Sequence, residues 1–204
     1  MAITSTDLID AFTAIAEKME AEKDALCALD GEIGDGDHGV AMALGFGAVR
    51  KALGDLGHAT PTEVLNTAAK AFLNGVGASS GPLYATAFMR AAAAVKGEAE
   101  VPDEDRAALI AAMAEGIAHR GKASTGDKTM LDAWVPAAEA AKAAPTGEEF
   151  GAAAEAAQDG AEKTAGMAAK LGRAARLGER SVGHPDPGAV SAAMLIRVLA
   201  DRLG

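Results

Sequence analysis

The stretch Leu29-Asp30-Gly31-Glu32-Ile33-Gly34-Asp35-Gly36-Asp37-His38-Gly39 decides between an α/β fold and an all-helical one. Its second half, 34–39, has the spelling G-x-G-x-x-G of a dinucleotide-binding turn. A turn of that kind follows a buried strand and presents backbone amides to its ligand. Here the preceding residues 22–29 have a helical pattern, and two carboxylates stand in the turn. The stretch is therefore a loop that follows a helix, and the dinucleotide-binding fold is rejected.

Apolar residues recur at helical spacing along most of the chain, and strand-like alternation is nearly absent. The spacing is seen, for example, in Leu8, Phe12, Ile15 and Met19, and again in Val190, Met194 and Val198. We predict an all-α protein, a single-domain barrel or bundle spanning 1–204 with about eight antiparallel amphipathic helices and short connections. The predicted helices are 6–28, 39–54, 61–76, 81–96, 103–120, 128–144, 147–171 and 187–203.

Three short strings mark predicted helix starts. Thr60-Pro61-Thr62-Glu63 and Thr146-Gly147-Glu148-Glu149 both have the spelling of a capping box. Asp186-Pro187 places a proline in the first turn of the last predicted helix, where its missing N–H is no loss.

Composition restricts the class of protein. A hydrophobic fraction of 50% with only 3% aromatic residues indicates an interior of close helix contacts between small side chains. The formal net charge of −10 argues against sequence-independent nucleic-acid binding, which requires Lys and Arg. Cys27 is the only cysteine, which excludes a disulfide framework and a zinc cluster. We expect neither a leader nor a membrane-spanning segment, and we expect a cytoplasmic protein.

Asp30, Asp35 and Asp37 form a carboxylate cluster on a glycine-rich turn. Asp35 and Asp37 flank Gly36, so a flexible backbone can turn both side chains toward a point that Asp30 can also reach. Hard divalent cations prefer such oxygen ligands, whereas three carboxylates held together without a cation would repel one another. A solvated acidic loop is the alternative, but the dense setting, with Glu32 beside the aspartates, favours a magnesium site.

Two familiar binding motifs are excluded by their spelling. An EF-hand loop ends on a bidentate Glu, but counting along the loop from Asp30 or Asp35 reaches Ala41 or Phe46. The stretch 121–129 resembles a Walker A loop, yet Asp127 interrupts its Gly-Lys pair and no apolar strand precedes it. The carboxylates must therefore bind a cation in another architecture.

Four connections are rich in Gly, Ser and Asp, and an up-and-down bundle could place several at one end: 30–39, 77–82, 121–129 and 178–188. The connection 77–82 precedes a helix, so its free amides and the helix dipole would face an anion. Arg173 and Arg180, with His184 and Asp186, decorate the last connection, and guanidinium groups suit phosphate. Carboxylates, an anion-binding helix start and arginines together predict a nucleotide-phosphate site with magnesium.

Several glycine-punctuated strings occur in an order that resembles the nucleotide-binding L subunit of dihydroxyacetone kinase. Besides 29–39 they are Gly81-Pro82-Leu83, Arg120-Gly121-Lys122-Ala123, Gly126-Asp127-Lys128-Thr129-Met130, Trp134-Val135-Pro136, Gly172-Arg173-Ala174, Leu177-Gly178-Glu179-Arg180-Ser181, Gly183-His184 and Asp186-Pro187-Gly188-Ala189. The resemblance spans nearly the whole chain. It implies a barrel of eight antiparallel helices that holds a magnesium-nucleotide at one end.

The resemblance also implies roles for individual residues. Asp30, Asp35 and Asp37 would ligate one or two Mg²⁺ ions that bridge the phosphates. The positions that match nucleotide contacts are His38, Gly39, Ser79, Ser80, Arg173, Asp186 and Gly188, and those around the adenine are Gly121 and Met130. The cofactors would be Mg²⁺ with ADP as a coenzyme or ATP, and no residue is assigned a catalytic role of its own.

The implied activity is transfer of a phosphoryl group to dihydroxyacetone, or a related short ketose, held on a partner K subunit. The donor would be a phosphotransferase-system protein that recharges bound ADP, or free ATP. No nucleic-acid or membrane partner is expected, and a homodimer stays open. The alternatives are an ATP-dependent erythrulose-type kinase, the nucleotide domain of a fatty-acid kinase, and a nucleotide-sensing or scaffold protein without phosphoryl transfer.

Overall fold

A computed structural model of the chain describes residues 2–77 and 80–204. In those residues it contains nine α-helices: α1 (Ser5–Ala21), α2 (Lys23–Ile33), α3 (His38–Gly54), α4 (Pro61–Val76), α5 (Gly81–Ala94), α6 (Arg106–Gly121), α7 (Leu131–Ala143), α8 (Glu149–Lys163) and α9 (Pro187–Leu203). Short 3-10 helices lie at Asp103–Asp105, Thr164–Gly166 and Ala174–Ser181. The β-type contact found there is a single antiparallel bridge between Ile3 and Val101. None of the described helices combines the length and the apolar character that a membrane span requires.

The helices close into a ring. From α3 to α9 each helix packs against the next one in the chain, α9 packs against α1, and α1 packs against α3. Eight helices therefore form a barrel, and the short α2 is an additional helix that packs mainly on α3. The predicted all-α fold with eight antiparallel barrel helices is confirmed.

The prediction was wrong about the first and the seventh helices. The predicted helix 6–28 is two helices, α1 and α2, because Glu22 between them leaves the helical conformation (φ −94°, ψ 3°). The second of these, α2, runs on to Ile33, so Asp30 belongs to a helix and not to the loop in which we expected it. The predicted helix 147–171 ends at Lys163, and a long irregular segment, 164–186, connects α8 to α9.

Six of the few aromatic side chains meet inside the ring. They come from five helices and are Phe12, Phe46, Phe72, Tyr84, Phe88 and Trp134, all buried. Neighbouring rings mostly meet edge to face, for example Phe46 and Phe72 with centroids 4.9 Å apart, a geometry that adds to the free energy of burial. Buried alanines surround this cluster and let the helices approach closely.

Side-chain caps fix where several helices begin. The predicted capping box at Thr60 forms, because its hydroxyl accepts from the Glu63 amide (3.3 Å) and the Glu63 carboxylate accepts from the Thr60 amide (2.8 Å). The predicted capping box at Thr146 does not form. Gly147 has a positive φ of 93°, which turns Thr146 away from the helix start, and the Glu149 carboxylate accepts from the Gly147 amide instead.

A close contact between α7 and α8 depends on a proline and a glycine. Pro136 lies inside α7 and has no N–H, so the Asp132 carbonyl lacks its usual helical donor. That carbonyl lies against Gly160 of α8, where an added Cβ would come within 2.0 Å of the oxygen. A side chain at Gly160 would therefore push α7 and α8 apart.

We expect Gly160→Ala to lower the free energy of unfolding by about 1–3 kcal/mol, the usual cost of overpacking a core. Gly151→Ala in the same helix is the matched control. Gly151 is exposed with no neighbour within 4 Å of an added Cβ, so this change should raise the stability by about 0.5–1 kcal/mol. Urea unfolding followed by circular dichroism measures both, and equal effects would contradict the packing described for Gly160.

Candidate functional site

One cavity lies at the end of the barrel where alternate helices begin. The residues that precede α3, α5, α7 and α9, which are Asp37, Ser80, Met130 and Asp186, all line it. Its volume is about 260 Å³. The antiparallel ring explains this convergence, since every second helix starts at the same end. The positive ends of four helix dipoles therefore surround one space, which suits an anionic ligand.

The three predicted carboxylates come together at the rim of this cavity. Asp30 lies in the last turn of α2 and is buried, whereas Asp35 and Asp37 follow in the exposed loop. One ligand atom from each lies within 4.8 Å of the other two. Oxygen ligands at this spacing suit a hard divalent cation, so the residues present fit the predicted magnesium ion.

The loop between α2 and α3 is folded around the Asp30 carboxylate. Its Oδ2 accepts hydrogen bonds from the backbone amides of Asp37 (3.0 Å) and His38 (3.3 Å). Gly34 must lack a side chain, because an added Cβ would lie 2.2 Å from Asp30 Oδ1. Gly36 has a φ of 75°, a conformation that favours glycine. The glycines of this stretch thus allow the turn that brings the three aspartates together.

The guanidinium of Arg173 lies over the two exposed carboxylates. It forms an ion pair with Asp35 and lies 3.8 Å from Asp37 Oδ2. One arginine against three carboxylates leaves the rim negatively charged if all are ionised, so it still attracts a cation. A guanidinium at this position also stands next to the helix starts, where a phosphate would lie.

His38, at the first position of α3, is held from the other side of the cavity. Its Nε2 lies 2.8 Å from the hydroxyl of Ser191, which donates to the Gly188 carbonyl. Burial lowers the pKa of the His38 imidazole, and the nearby Asp30 carboxylate partly opposes that effect. A neutral imidazole is therefore favoured near pH 7.

Asp186 caps the last helix and is a half-buried acid of the site. Its Oδ2 accepts from the Ala189 amide at 2.8 Å, as the sequence Asp186-Pro187 predicted. Burial raises the pKa of Asp186 to about 7, the hydrogen bond from Ala189 opposes the rise, and the Asp132 carboxylate adds to it. A group with this pKa changes charge near neutral pH.

The structure brings most of the predicted site residues together. Those that line the cavity are Asp30, Asp35, Asp37, His38, Ser80, Met130, Arg173, Asp186 and Gly188. Gly39 does not line it: an added Cβ there would lie 1.9 Å from the Lys23 carbonyl, so Gly39 permits close contact between α3 and α2. Gly121 lies at the end of α6 beside Leu83, which does line the cavity. Ser79 lies outside the described residues.

Two buried charged residues at the site were missed by sequence reasoning. Asp132 accepts from the amides of Gly126 (2.5 Å) and Thr129 (2.8 Å) and so shapes the loop before α7. Lys128 is 1% exposed, lines the cavity and donates to backbone carbonyls of the segment 164–186. The glycine-rich spelling of 121–129 was the available signal, but a lysine in a loop is normally exposed.

The protein is an all-helical barrel in which a carboxylate cluster faces four converging helix starts. Proteins of this class are suited to bind a cation and an anion side by side. A family model described as the DAK2 domain matches residues 32–201. The chain therefore belongs to the DAK2 domain family, as the resemblance implied.

Relatives and a solved structure agree with this assignment. The ADP-binding subunit DhaL of the PEP-dependent dihydroxyacetone kinase 2 of Listeria innocua is 42% identical over 191 residues, which cover 91% of this chain and 88% of the relative. The corresponding subunit of Escherichia coli strain K12 is 37% identical, with 98% of each chain covered. The crystal structure of the dihydroxyacetone kinase from C. freundii in complex with AMP-PNP and Mg²⁺ has a TM-score of 0.76 and 26% identity, covering 98% of this chain and 34% of that chain.

We expect Asp35→Asn and Asp37→Asn each to weaken Mg²⁺ binding at least about tenfold, because each removes one charge from the carboxylate cluster. Thermal stability in EDTA should not fall, since both side chains are exposed. Glu32→Gln is the matched control: it removes a carboxylate that is not among the three ligand candidates and should leave Mg²⁺ affinity nearly unchanged. Calorimetric titration with Mg²⁺ measures the effect, and wild-type affinity in both aspartate variants would exclude this site.

We expect the contribution of Asp186 to the unfolding free energy of the ligand-free protein to fall as the pH rises from about 4 to about 7, because its folded pKa lies above its ordinary 3.8. In that window the folded state retains a proton that the unfolded state has lost. Asp186→Asn keeps a cap oxygen but cannot ionise, so between pH 5 and pH 8 the wild type should lose about 1–2 kcal/mol relative to it.

The measurement is urea unfolding at the two pH values in EDTA. Asp201→Asn, which removes an exposed carboxylate from the same helix, controls for the change in net charge and should follow the wild type. Parallel curves for wild type and Asp186→Asn would contradict the raised pKa.

Proposed function

We propose that this chain is one magnesium-nucleotide-binding domain and acts as the nucleotide-binding subunit of a dihydroxyacetone kinase. The observation that carries the proposal is the pairing of three carboxylates, within 4.8 Å of one another, with four helix starts around one cavity. Helix starts alone attract phosphate, and carboxylates alone repel it. A site that has both requires a cation between them, and a magnesium-nucleotide provides that combination.

The residues of the chain would divide the ligand between them. Asp30, Asp35 and Asp37 would hold the Mg²⁺, which supplies neutralisation of charge on the phosphates. The amides that begin α3, α5 and α9 would face the phosphate oxygens, and Arg173 would pair with a phosphate in place of the two exposed carboxylates. Met130, 7% exposed at the start of α7, would form an apolar contact beside the base.

The donor side of a phosphoryl transfer needs alignment and charge neutralisation more than a nucleophile. In this proposal no residue of the chain has a catalytic role of its own. The acceptor, dihydroxyacetone or a related short ketose, would be held by a partner K subunit. The names of the DhaL relatives support ADP as the bound nucleotide and a PEP-dependent phosphoryl supply.

The first experiment identifies the resident ligand. The purified wild-type chain is denatured, the released nucleotide is chromatographed, and Mg²⁺ is measured in the same sample. Stoichiometric ADP with Mg²⁺ would support ADP as a coenzyme recharged by a phosphotransferase-system protein. A chain without nucleotide that binds and exchanges ATP with Mg²⁺ would support direct use of ATP. No binding of either nucleotide at any Mg²⁺ concentration would refute the proposal.

A second experiment tests the transfer itself. The chain is combined with a K-type subunit and dihydroxyacetone, and phosphorylated ketose is measured with ATP and, separately, with a phosphorylated phosphotransferase-system protein. Asp37→Asn should abolish product formation with either donor, and Glu32→Gln should not. Tight nucleotide binding without product in any arm would instead favour a nucleotide-sensing or scaffold role.

A further inference from the structure

Lys128 is a buried cation that the proposed function does not use. It stands in the loop before α7, and its side chain is one of the largest fully buried ones in the described residues. Its backbone has a φ of 60°, the left-handed conformation that side chains other than Gly, Asn and Asp rarely adopt. A buried charge on a strained backbone destabilises the fold unless specific contacts compensate.

Three backbone carbonyls supply those contacts. The Lys128 ammonium donates to the carbonyl oxygens of Met167 (3.0 Å), Ser181 (2.5 Å) and His184 (2.7 Å). An ammonium group has three hydrogens, so all of its donors are used. Lys128 therefore has no donor left for a phosphate, although it lines the cavity.

The three acceptors lie at the two ends of one segment. Met167 precedes Arg173 in the chain, and Ser181 and His184 follow it, so the ammonium closes the segment 167–184 into a loop with Arg173 inside it. Closing a flexible segment of this length opposes chain entropy, and a charged donor shared by three carbonyls is stronger than neutral contacts. Neutral hydrogen bonds accompany it: the Lys170 amide donates to the Asp127 carbonyl (3.2 Å) and the Ala169 amide to the Ser181 hydroxyl (2.9 Å). The surface ion pair between Lys170 and Asp127 (3.2 Å) contributes little. The Lys128 ammonium is the charged contact that reaches both ends of the segment from the loop before α7.

The backbone on both sides of Lys128 is held by hydrogen bonds. On the two sides of Lys128, the amides of Gly126 and Thr129 donate to the buried Asp132 carboxylate. Burial lowers the pKa of the Lys128 ammonium, and the Asp186 carboxylate opposes that effect. The loop before α7 thus presents Lys128 as a rigid cation to the opposite segment.

We propose that Lys128 is a positioning residue for the nucleotide site: its ammonium joins both ends of the segment 167–184 and thereby holds Arg173 over the carboxylate cluster. This inference rests on the proposed function, in which Arg173 contacts the phosphates. The role of Lys128 is indirect, since its hydrogen bonds all go to the protein backbone.

A double-mutant cycle tests this role. Lys128→Met keeps an unbranched side chain of similar size but removes all three donors, and it should raise the dissociation constant for Mg-ADP about tenfold or more. Because Lys128 acts through Arg173, the double variant Lys128→Met with Arg173→Met should bind within about twofold of Arg173→Met alone. Independent losses that multiply in the double variant would overturn the proposal, because a general structural role predicts them.

Limited trypsin digestion tests the loop closure without any nucleotide. The segment contains Lys170, Arg173, Arg176 and Arg180 as cleavage sites. Trypsin should cut Lys128→Met faster than the wild type in the segment but not elsewhere. The control is Lys170→Met, which removes one exposed lysine of the segment. It should be cut at the wild-type rate at the remaining sites. Equal rates for Lys128→Met and wild type would overturn the proposal. If the wild type binds no Mg-ADP, the proposed function fails, and this digestion still decides the role of Lys128 in closure.

Lys128→Ala provides a variant that can be rescued. It lacks the three carbons and the nitrogen that n-propylammonium carries, so this ion should restore Mg-ADP affinity and trypsin resistance, and sodium at equal ionic strength should not. If Lys128→Met does not fold, Lys128→Ala prepared in n-propylammonium replaces it, and folding that depends on this ion supports the proposal. Failure of n-propylammonium to restore any of these properties would overturn it.

Discussion

Every second helix of a closed antiparallel ring begins at the same end, and in this protein α3, α5, α7 and α9 begin around one cavity. The first amides of each helix have no acceptor within their own helix, and their dipoles make that end of the barrel positive. The carboxylates at 30–37 then bring negative charge to the same place. This opposition of charges suits a ligand that presents a cation to the acids and an anion to the helix starts.

Several polar groups in and around α7 would destabilise the fold if their partners were missing. Pro136 has no N–H, so the Asp132 carbonyl lacks its helical hydrogen bond, and Gly160 leaves room for that carbonyl. Asp132 is buried but accepts two amides, and Lys128 is buried but donates to three carbonyls. Buried polar groups of this kind stabilise one loop geometry only when all their partners are present. The loop before α7 and the segment 164–186 are therefore fixed by polar contacts, where the rest of the barrel is fixed by apolar packing.

The sequence predicted those features that depend on residues close together in the chain. The capping box at Thr60 formed because its partners are three residues apart and nothing else competes for them. The same spelling at Thr146 failed because Gly147 turns the chain first. The break at Glu22 had no marker, since neither glycine nor proline is present there. After the break, α2 packs mainly on α3 and little on α1. The carboxylate cluster was predictable because its three members lie close together in the chain and are separated by glycines.

The sequence by itself determined the helical class, the approximate number of helices, the acidic cluster and the helix start at Asp186, because periodicity, caps and short turns act over a few residues. The likeness to a known family added Gly188 and Met130, which no local pattern identifies. Only the tertiary structure decided that Lys128 is buried, that Ser191 holds His38, and that Gly39 serves helix packing and does not line the cavity. Each of these depends on partners distant in the chain, and the burial and charge of a side chain's surroundings are set only when the ring closes.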